Sequence, residues 1–222
     1  MEVVHFHAGE FITIALNARD RAAEEERRTD PLGMAESALV SIVMAAAATE
    51  AFINELGEYC GTTVVPLEPR ATATGAALAE VEQSRGSTEL KYLMASLSLS
   101  GQMFVRSAQP FQDFSTLMKI RNDLMHPKPR DRIDEAGLYN PPSYVRGFEQ
   151  RGMTYRPEPD VSVSWLNQLE TERIASWACQ AAVDIIVAVA ERTPANGVFA
   201  GLGRLFAEQY RPRANAGGGT SG

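Results

Sequence analysis

The sequence predicts an all-α protein: an up-and-down bundle of four to five main helices, with a long irregular loop before the last long helix. Three observations support this prediction. Apolar residues recur at three- and four-residue spacing over several long segments, as in a helix that buries one face. Proline and glycine stand at the ends of these segments, where they start or stop helices. No strand pattern alternates with them, so neither a doubly wound sheet nor a phosphate-binding loop is expected.

Length and composition indicate one globular domain. The chain has 222 residues, of which 45% are apolar and 22% charged, and its formal net charge is −7. We expect one domain over residues 1–210, with its core at about 31–192, and a disordered tail at 211–222. The acidic balance excludes indiscriminate coating of nucleic acid, which needs a basic face, but it allows a local basic patch.

The compartment predicted from the sequence is the cytoplasm. Cys60 and Cys179 fit no disulfide framework and no metal spacing, which favours a reducing environment. The N-terminus shows neither a basic n-region nor an apolar h-region, so no secretory signal is expected. The most apolar run, 38–48, is too short to span a bilayer and favours a core helix. No membrane partner is therefore predicted.

His5 and His7 lie in a short alternating segment at the N-terminus. On a strand their side chains would point the same way and could share a metal ion. No cluster of Cys, Asp or Glu offers a third ligand, so an ordinary chain end is the favoured interpretation. Neither a metal nor another cofactor is predicted.

The first two helices are predicted at about Glu10 to Arg28 and from Asp30-Pro31 to Tyr59. Asp30 is a good N-cap acceptor, and proline is favoured at the first helical position. The predicted buried stripe of the first helix is Phe11, Ile14, Ala15, Ala18 and Ala22; that of the second is Leu39, Ile42, Val43, Ala46, Thr49, Ile53 and Leu56.

Shorter elements follow. A loop is predicted at 61–75, a short helix at 76–83, and a helix from Thr88 to Leu99 that ends at Gly101. The predicted inward residues of that helix are Leu90, Leu93, Met94 and Leu97. The next helix is expected between Pro110 and Pro127, with an apolar set of Phe111, Phe114, Leu117, Met118, Ile120 and Leu124.

Residues 127–160 contain six prolines and no sustained period, which predicts a long loop of the kind that is usually functional or mobile. Tyrosine and phenylalanine interleave there with arginine, a mixture suited either to stacking RNA bases or to pinning an irregular excursion. The last long helix is predicted from Ser164 to Arg192, with Trp165, Leu169, Ile174, Trp177, Ala181, Ile185 and Val189 buried. A short helix from Val198 to Tyr210 should follow.

The segment from Lys119 to Pro127 carries the main functional signal. His126 is the only histidine outside the N-terminal tip, and Arg121 precedes it by five residues. Because a residue before proline disfavours helical geometry, His126 should lie at the C-terminal edge of its helix. Asn122 lies one turn below His126, and Asp123 flanks it.

These residue types suit chemistry on phosphate. An imidazole exchanges a proton near neutral pH, and a guanidinium binds phosphate in a fork and stabilises charge that develops on it. Proton transfer and anion stabilisation are the minimum requirements for metal-free cleavage of RNA, in which the 2′-OH attacks the adjacent phosphorus. One histidine does not easily serve as both base and acid, and two copies across a dimer interface would supply the second.

The surroundings of the motif are locally basic. Residues 119–132 carry five basic and two acidic residues, a net charge of +3, which would attract a phosphate chain. Solvated loop charge is the alternative interpretation. The candidate RNA-binding residues are Lys119, Lys128, Arg130 and Arg132.

Glu50 and Asn54 interrupt the apolar sequence of the second helix and lie one turn apart. One interpretation is that they face water or cap a turn, and the other is that they line the site around His126.

The segment Arg121-Asn-Asp-Leu-Met-His126 resembles the Arg-x(4–6)-His motif of the HEPN superfamily, with a polar residue directly after the arginine. The order of elements over about 31–192 is loosely similar as well. The resemblance implies a helical bundle that forms a homodimer, so that two motifs face a shared cleft. It assigns Arg121 and His126 as the catalytic pair and Asn122 as the supporting polar residue. Asp123, which flanks His126 on the helix, is a second supporting candidate.

The resemblance also implies an activity and partners. Many members are metal-independent endoribonucleases that leave a cyclic phosphate and act as toxins or in phage defence, with an antitoxin or another regulatory protein as a further partner. Lys128 stands where toxins paired with a nucleotidyltransferase antitoxin carry tyrosine, so silencing by adenylylation of that tyrosine is not implied. Other members bind RNA, a nucleotide or a partner protein without catalysis, which is the alternative function.

Overall fold

A computed structural model describes residues 6–28, 35–61, 69–126, 141–155, 164–193 and 198–210. Throughout these residues the regular structure is helical, which confirms the predicted all-α class. The eight α-helices of this described part are α1 (Ala8–Arg28), α2 (Ser37–Gly61), α3 (Pro69–Gln83), α4 (Thr88–Ser100), α5 (Phe111–Met125), α6 (Ser143–Gln150), α7 (Glu172–Ala190) and α8 (Val198–Tyr210). One turn of 3-10 helix, Asn167–Leu169, precedes α7.

Helix α2 is central to the bundle. It packs against α1, α3, α5 and α7, and α7 packs in turn against α1, α5 and α8. Both helices are apolar around most of their circumference, and the alanines of α2 let its neighbours approach closely. This packing leaves the C-terminal end of α5 beside the middle of α2, where the motif residues lie.

Two of the described helices, α2 and α7, are long and apolar enough to cross a membrane. Half of the apolar window of α2 and 72% of that of α7 are buried inside the fold. The core helices of a helical bundle meet the same criteria of length and composition.

Several predicted boundaries agree with the structure. Helix α4 begins after Ser87, whose side chain accepts from the Leu90 N–H, and ends at Gly101 in the left-handed conformation with φ of 73°. Helix α8 has the predicted bounds, and α1 starts two residues earlier than expected. The caps and stop signals of the sequence therefore place these ends well.

Helix α2 begins at Ser37, so the prediction of a helix running from Pro31 is wrong at residues 35–36. The reason is tertiary. Glu25 of α1 accepts from both the backbone N–H and the hydroxyl of Ser37, while the Ala35 N–H donates to the carbonyl of Glu170. These contacts supply a start for α2 that Asp30 and Pro31 do not reveal.

Helix α3 begins at Pro69, so the predicted loop at 61–75 is too long and the predicted helix at 76–83 too short. Proline fits the first turn of a helix. Gly75 is needed inside α3 because a Cβ there would lie 2.5 Å from the backbone carbon of Cys60. It marks a close approach of two helices rather than a break.

The predicted loop at 127–160 contains a helix, α6, so it is not irregular throughout. Tyr144, Val145 and Phe148 are buried on one face of α6, and Phe148 stacks edge-on against Trp177 of α7 at 4.7 Å. Two prolines before α6 obscured this short amphipathic pattern. Residues 127–140 and 156–163, like the tail at 211–222, lie outside the described residues.

Helix α7 begins at Glu172 rather than at Ser164. Thr171 is its N-cap: the hydroxyl accepts from the Ile174 N–H and donates to the carbonyl of Met153. Trp165 and Leu169 are buried as predicted, but from the turn before the helix.

Two predicted helix faces are rotated. Leu90 and Leu97 of α4 are each 38% exposed, whereas Lys91, Tyr92, Leu93, Ala95, Ser96 and Leu99 are buried. Ile14 of α1 is also exposed, and Ile12 is buried in its place. The inward face of α4 includes Lys91 and Ser96 because both find polar partners inside: Lys91 with Asn54 and Glu82, and Ser96 with the carbonyl of Gln102.

Candidate functional site

The motif lies where α5 ends. Apolar residues of α5 pack it against α2 and α7, and these are Phe111, Phe114, Leu117, Met118 and Ile120. The helix stops at Met125, and His126 takes a non-helical conformation with φ of −128° and ψ of 65°. The backbone N–H of His126 donates to the carbonyl of Asn122 at 3.0 Å. The predicted position of His126 at the helix edge is therefore confirmed.

The imidazole of His126 is exposed. Within the described part of the chain it forms no hydrogen bond or ion pair. Its two ring nitrogens are therefore not engaged by any of the described residues.

Arg121 is held on both sides. Its Nη2 donates to Glu50 Oε2 at 2.9 Å, and its Nη1 donates to Asn122 Oδ1 at 3.0 Å. The Arg121 and Glu50 side chains retain 29% and 27% of their exposure. Because a guanidinium has five N–H groups and these bonds use two, others remain for a phosphate oxygen.

Glu50 joins three helices. It lies on α2, receives Arg121 from α5, and accepts a long hydrogen bond of 3.5 Å from the Thr88 hydroxyl of α4. Within the described residues, the side-chain hydrogen bonds of Glu50 are therefore to Arg121 and Thr88. The sequence suggested Glu50 as a lining residue for His126; the structure brings it to Arg121, the other member of the motif.

Asn54 lies on α2 one turn after Glu50 and is exposed. Its side-chain oxygen accepts from Lys91 Nζ of α4 at 2.7 Å. Asn54 thus lines the same face as Glu50, but its described hydrogen bond runs to α4 and not to the motif itself.

Asp123 links the motif to α6. The Tyr144 hydroxyl donates to Asp123 Oδ2 at 3.1 Å, and the Lys119 ammonium lies 5.7 Å from the centre of the Tyr144 ring. Tyr144 is buried and packs edge-on against Trp165. Helix α6 therefore contacts the motif through Tyr144.

Behind Glu50 lies a buried tyrosine. Burial, with the added negative charges of Glu55 and Glu50, holds the pKa of Tyr92 well above its usual range. Its hydroxyl therefore stays protonated and donates to the carbonyl of Thr49 at 3.0 Å. Tyr92 thereby fixes α4 against α2 next to Glu50. Glu50 and Asn54 of α2, together with Arg121 of α5, are called the polar face.

The predicted RNA-binding residues are only partly placed. Lys119 is exposed on α5, whereas Lys128, Arg130 and Arg132 lie outside the described residues, as does His5. The aromatic and arginine residues of 127–140 also lie outside the described residues.

Sequence reasoning missed Lys91, Thr88 and Tyr144. Lys91 carries a weak signal, since it stands between Leu90 and Tyr92-Leu93 in a segment of helical period. Thr88 reads as an ordinary helix start, and Tyr144 as a loop aromatic. Their roles depend on tertiary neighbours that spacing alone does not give.

The other candidate sites to consider are a metal-binding cluster and a surface groove. No group of three or more His, Cys, Asp or Glu side chains with metal-binding geometry occurs in the described ranges. An open groove of about 350 Å³ lies at the start of α7, away from the motif, and is lined by Glu26, Gly152, Met153, Thr154, Tyr155, Thr171 and Arg173.

Comparison with protein-family models, with curated proteins and with solved structures finds no match to this chain.

Proposed function

We propose that the protein is a metal-independent endoribonuclease of HEPN type, with Arg121 and His126 as its catalytic pair. The observation that carries the proposal is an exposed imidazole at the end of α5, five residues after an arginine whose guanidinium is already oriented by Glu50 of α2 and Asn122 of α5. Proton transfer and charge stabilisation are the two functions that this reaction needs.

In the proposed reaction, His126 takes the proton of an RNA 2′-OH while its oxygen attacks the adjacent phosphorus. Arg121 stabilises the negative charge that develops on the phosphate oxygens. The bond from phosphorus to the 5′-oxygen breaks, and that oxygen takes a proton from His126 of the partner subunit. The products are a 2′,3′-cyclic phosphate and a 5′-OH, with no oxidant or metal consumed.

The proposal includes a homodimer, an HEPN-like bundle and a cytoplasmic setting. In a dimer, His126 of the partner subunit would supply the second proton-transfer group near one phosphate. A role as a toxin or phage-defence effector, regulated by an antitoxin or another protein, rests on the resemblance of the motif alone. The core proposal is the chemistry of Arg121 and His126.

The test is cleavage of mixed single-stranded RNA in EDTA by wild-type protein, His126→Ala and Arg121→Ala. Loss of a general acid or base lowers rates by roughly 10²- to 10⁴-fold, and we expect that loss for His126→Ala. His7→Ala is the matched control, because its side chain is also exposed but lies at the N-terminal end of α1. Equal cleavage by wild type and His126→Ala would refute the assignment.

A second function is a non-catalytic helical module that binds RNA, a nucleotide or a partner protein. The observation in its favour is that both terminal nitrogens of Arg121 are already engaged within the chain. This alternative predicts that the protein binds RNA, a nucleotide or a partner protein without cleaving RNA. It also predicts that Arg121→Ala lowers thermal stability.

A further inference from the structure

Lys91 is a buried cation next to the polar face of Glu50, Asn54 and Arg121. The residue is 8% exposed, although a lysine ammonium is costly to remove from water unless it is paired. Its Nζ donates to Asn54 Oδ1 at 2.7 Å and pairs with the carboxylate of Glu82 on α3. The chain thus keeps a charge inside the fold and directs it at an exposed amide.

The contact between Lys91 and Asn54 lies one helical turn from Glu50, the residue that holds Arg121. Glu50 and Asn54 are four residues apart on α2, and Thr88 and Lys91 are three apart on α4, so each pair shares a helix face. The contacts Glu50–Thr88 and Asn54–Lys91 are consequently two adjacent links between the same helices.

The chemistry of Lys91 fixes which way the Asn54 amide faces. An ammonium only donates, so it must take the amide oxygen and leave the Nδ2 group, with its two N–H donors, on the other side. Asn54 is exposed, and none of the hydrogen bonds of the described residues uses its Nδ2. The result is a pre-oriented donor on the face that holds Arg121.

We propose that Asn54 contacts bound RNA by donating from Nδ2 to a backbone phosphate oxygen, and that Lys91 is the positioning residue that holds the amide in this orientation. This inference rests on the proposed function, since the strand it contacts is the strand that Arg121 and His126 would cleave. Asn54 adds neutral donors, and Arg121 adds charge, on one polar face.

The test measures binding of a labelled single-stranded RNA by anisotropy in a His126→Ala background, where the strand stays intact. Asn54→Asp keeps an acceptor for Lys91 but removes both donors. We expect its Kd to rise by about 10- to 100-fold, the range for loss of one hydrogen bond to a charged group, with thermal stability unchanged or higher. Gln150→Glu, on the exposed end of α6, controls for the added negative charge.

Asn54→Ala separates lost donors from repulsion, because it removes the amide without adding charge. We expect it to weaken binding as well. If only Asn54→Asp weakens binding, the effect is repulsion and the inference is wrong.

Lys91→Met tests the positioning role, since methionine retains much of the apolar stem without the ammonium. We expect its Kd to rise toward that of Asn54→Ala. Glu82→Gln leaves the contact between Lys91 and Asn54 in place and should not change Kd. If Lys91→Met and Glu82→Gln lower thermal stability together and neither changes Kd, Lys91 only ties α3 to α4.

The two proposals fail separately. The comparison of wild type with His126→Ala tests cleavage, and the comparison of Asn54 variants tests the contact. RNA cleavage that needs His126, with equal RNA affinity in Asn54→Ala and the background protein, would overturn this inference alone.

Discussion

The orientation of Arg121 is fixed by contacts within the chain itself. Glu50 and Asn122 hold the two terminal nitrogens of its guanidinium, so little side-chain entropy remains to be lost when a phosphate binds. Catalysis depends steeply on such positioning, and a displacement of about 1 Å can cost roughly 10²-fold in rate. Glu50 should therefore matter to activity without touching the substrate.

Glu50→Ala is predicted to lower RNA cleavage by roughly 10²-fold, because Arg121 loses its interhelical anchor. Glu50→Gln retains an acceptor oxygen and should lose less. The control is Glu58→Ala, which removes an exposed carboxylate from the same helix. Cleavage rates in EDTA for the three variants check the prediction, and equal rates for Glu50→Ala and Glu58→Ala would contradict it.

Glu55 gives a pH-dependent stability. It is buried, and one carboxylate oxygen accepts from the backbone N–H groups of His7 and Ala8 at the start of α1. Burial raises the pKa of Glu55 above its ordinary value of 4.5, against the opposing effect of these two bonds. An acid whose pKa is raised by folding loses stability as pH rises from its unfolded pKa through its folded pKa.

Glu55→Gln is therefore predicted to flatten the fall in unfolding free energy as pH rises above about 4.5. Burial also raises the pKa of Glu170, so the slope should shrink rather than vanish. Urea unfolding across that pH range measures the effect, with Glu149→Gln on the exposed face of α6 as control. An unchanged slope in Glu55→Gln would count against the burial argument.

At the scale of elements, glycines report where helices touch. Both Gly201 and Gly203 lie in α8. A Cβ at Gly203 would lie 2.4 Å from the Cβ of Ala190 on α7, whereas one at Gly201 would meet nothing within 4 Å. The two positions share a helix and differ only in what faces them.

Gly203→Ala is predicted to destabilise the fold by about 1–3 kcal/mol through overpacking against α7. Gly201→Ala should stabilise it by about 0.5–1 kcal/mol, because alanine is the better helix former. Chemical denaturation of the two variants checks the opposite signs. Effects of the same sign would show that α8 does not dock on α7 as described.

The helices whose ends carry local signals could be predicted from sequence. Ser87 and Gly101 bracket α4, and the proline after His126 marks the end of α5. The start of α2 could not be predicted, because Glu25 of another helix sets it. Helix α6 was missed because only eight residues carry its period and two prolines precede it.

At the scale of the whole molecule, the all-α class followed from the apolar period, and the position of His126 followed from Pro127. The polar face of Glu50, Asn54 and Arg121 could not be predicted from the sequence. Glu50 was a candidate, but its contact with Arg121 joins residues 71 apart in sequence, and Lys91 was assigned to no role. Such contacts depend on how helices cross, which a helical period leaves open.

The proposed dimer has a consequence for concentration. If the second proton donor comes from the partner subunit, specific activity should fall on dilution as the dimer dissociates. Sedimentation should give a mass of twice 24.2 kDa at concentrations where RNA is cleaved. A fully active monomer would remove the shared cleft from the mechanism.

The end group of the cleavage product tests the central claim most directly. RNA cleaved by wild-type protein in EDTA should carry a 2′,3′-cyclic phosphate, which mass spectrometry identifies, and 2′-deoxy substitution at the cleaved residue should block the reaction. That result would support metal-independent attack by the 2′-OH, which is the chemistry proposed for His126 and Arg121. A product with a 3′-OH, or cleavage that stops in EDTA, would contradict the account.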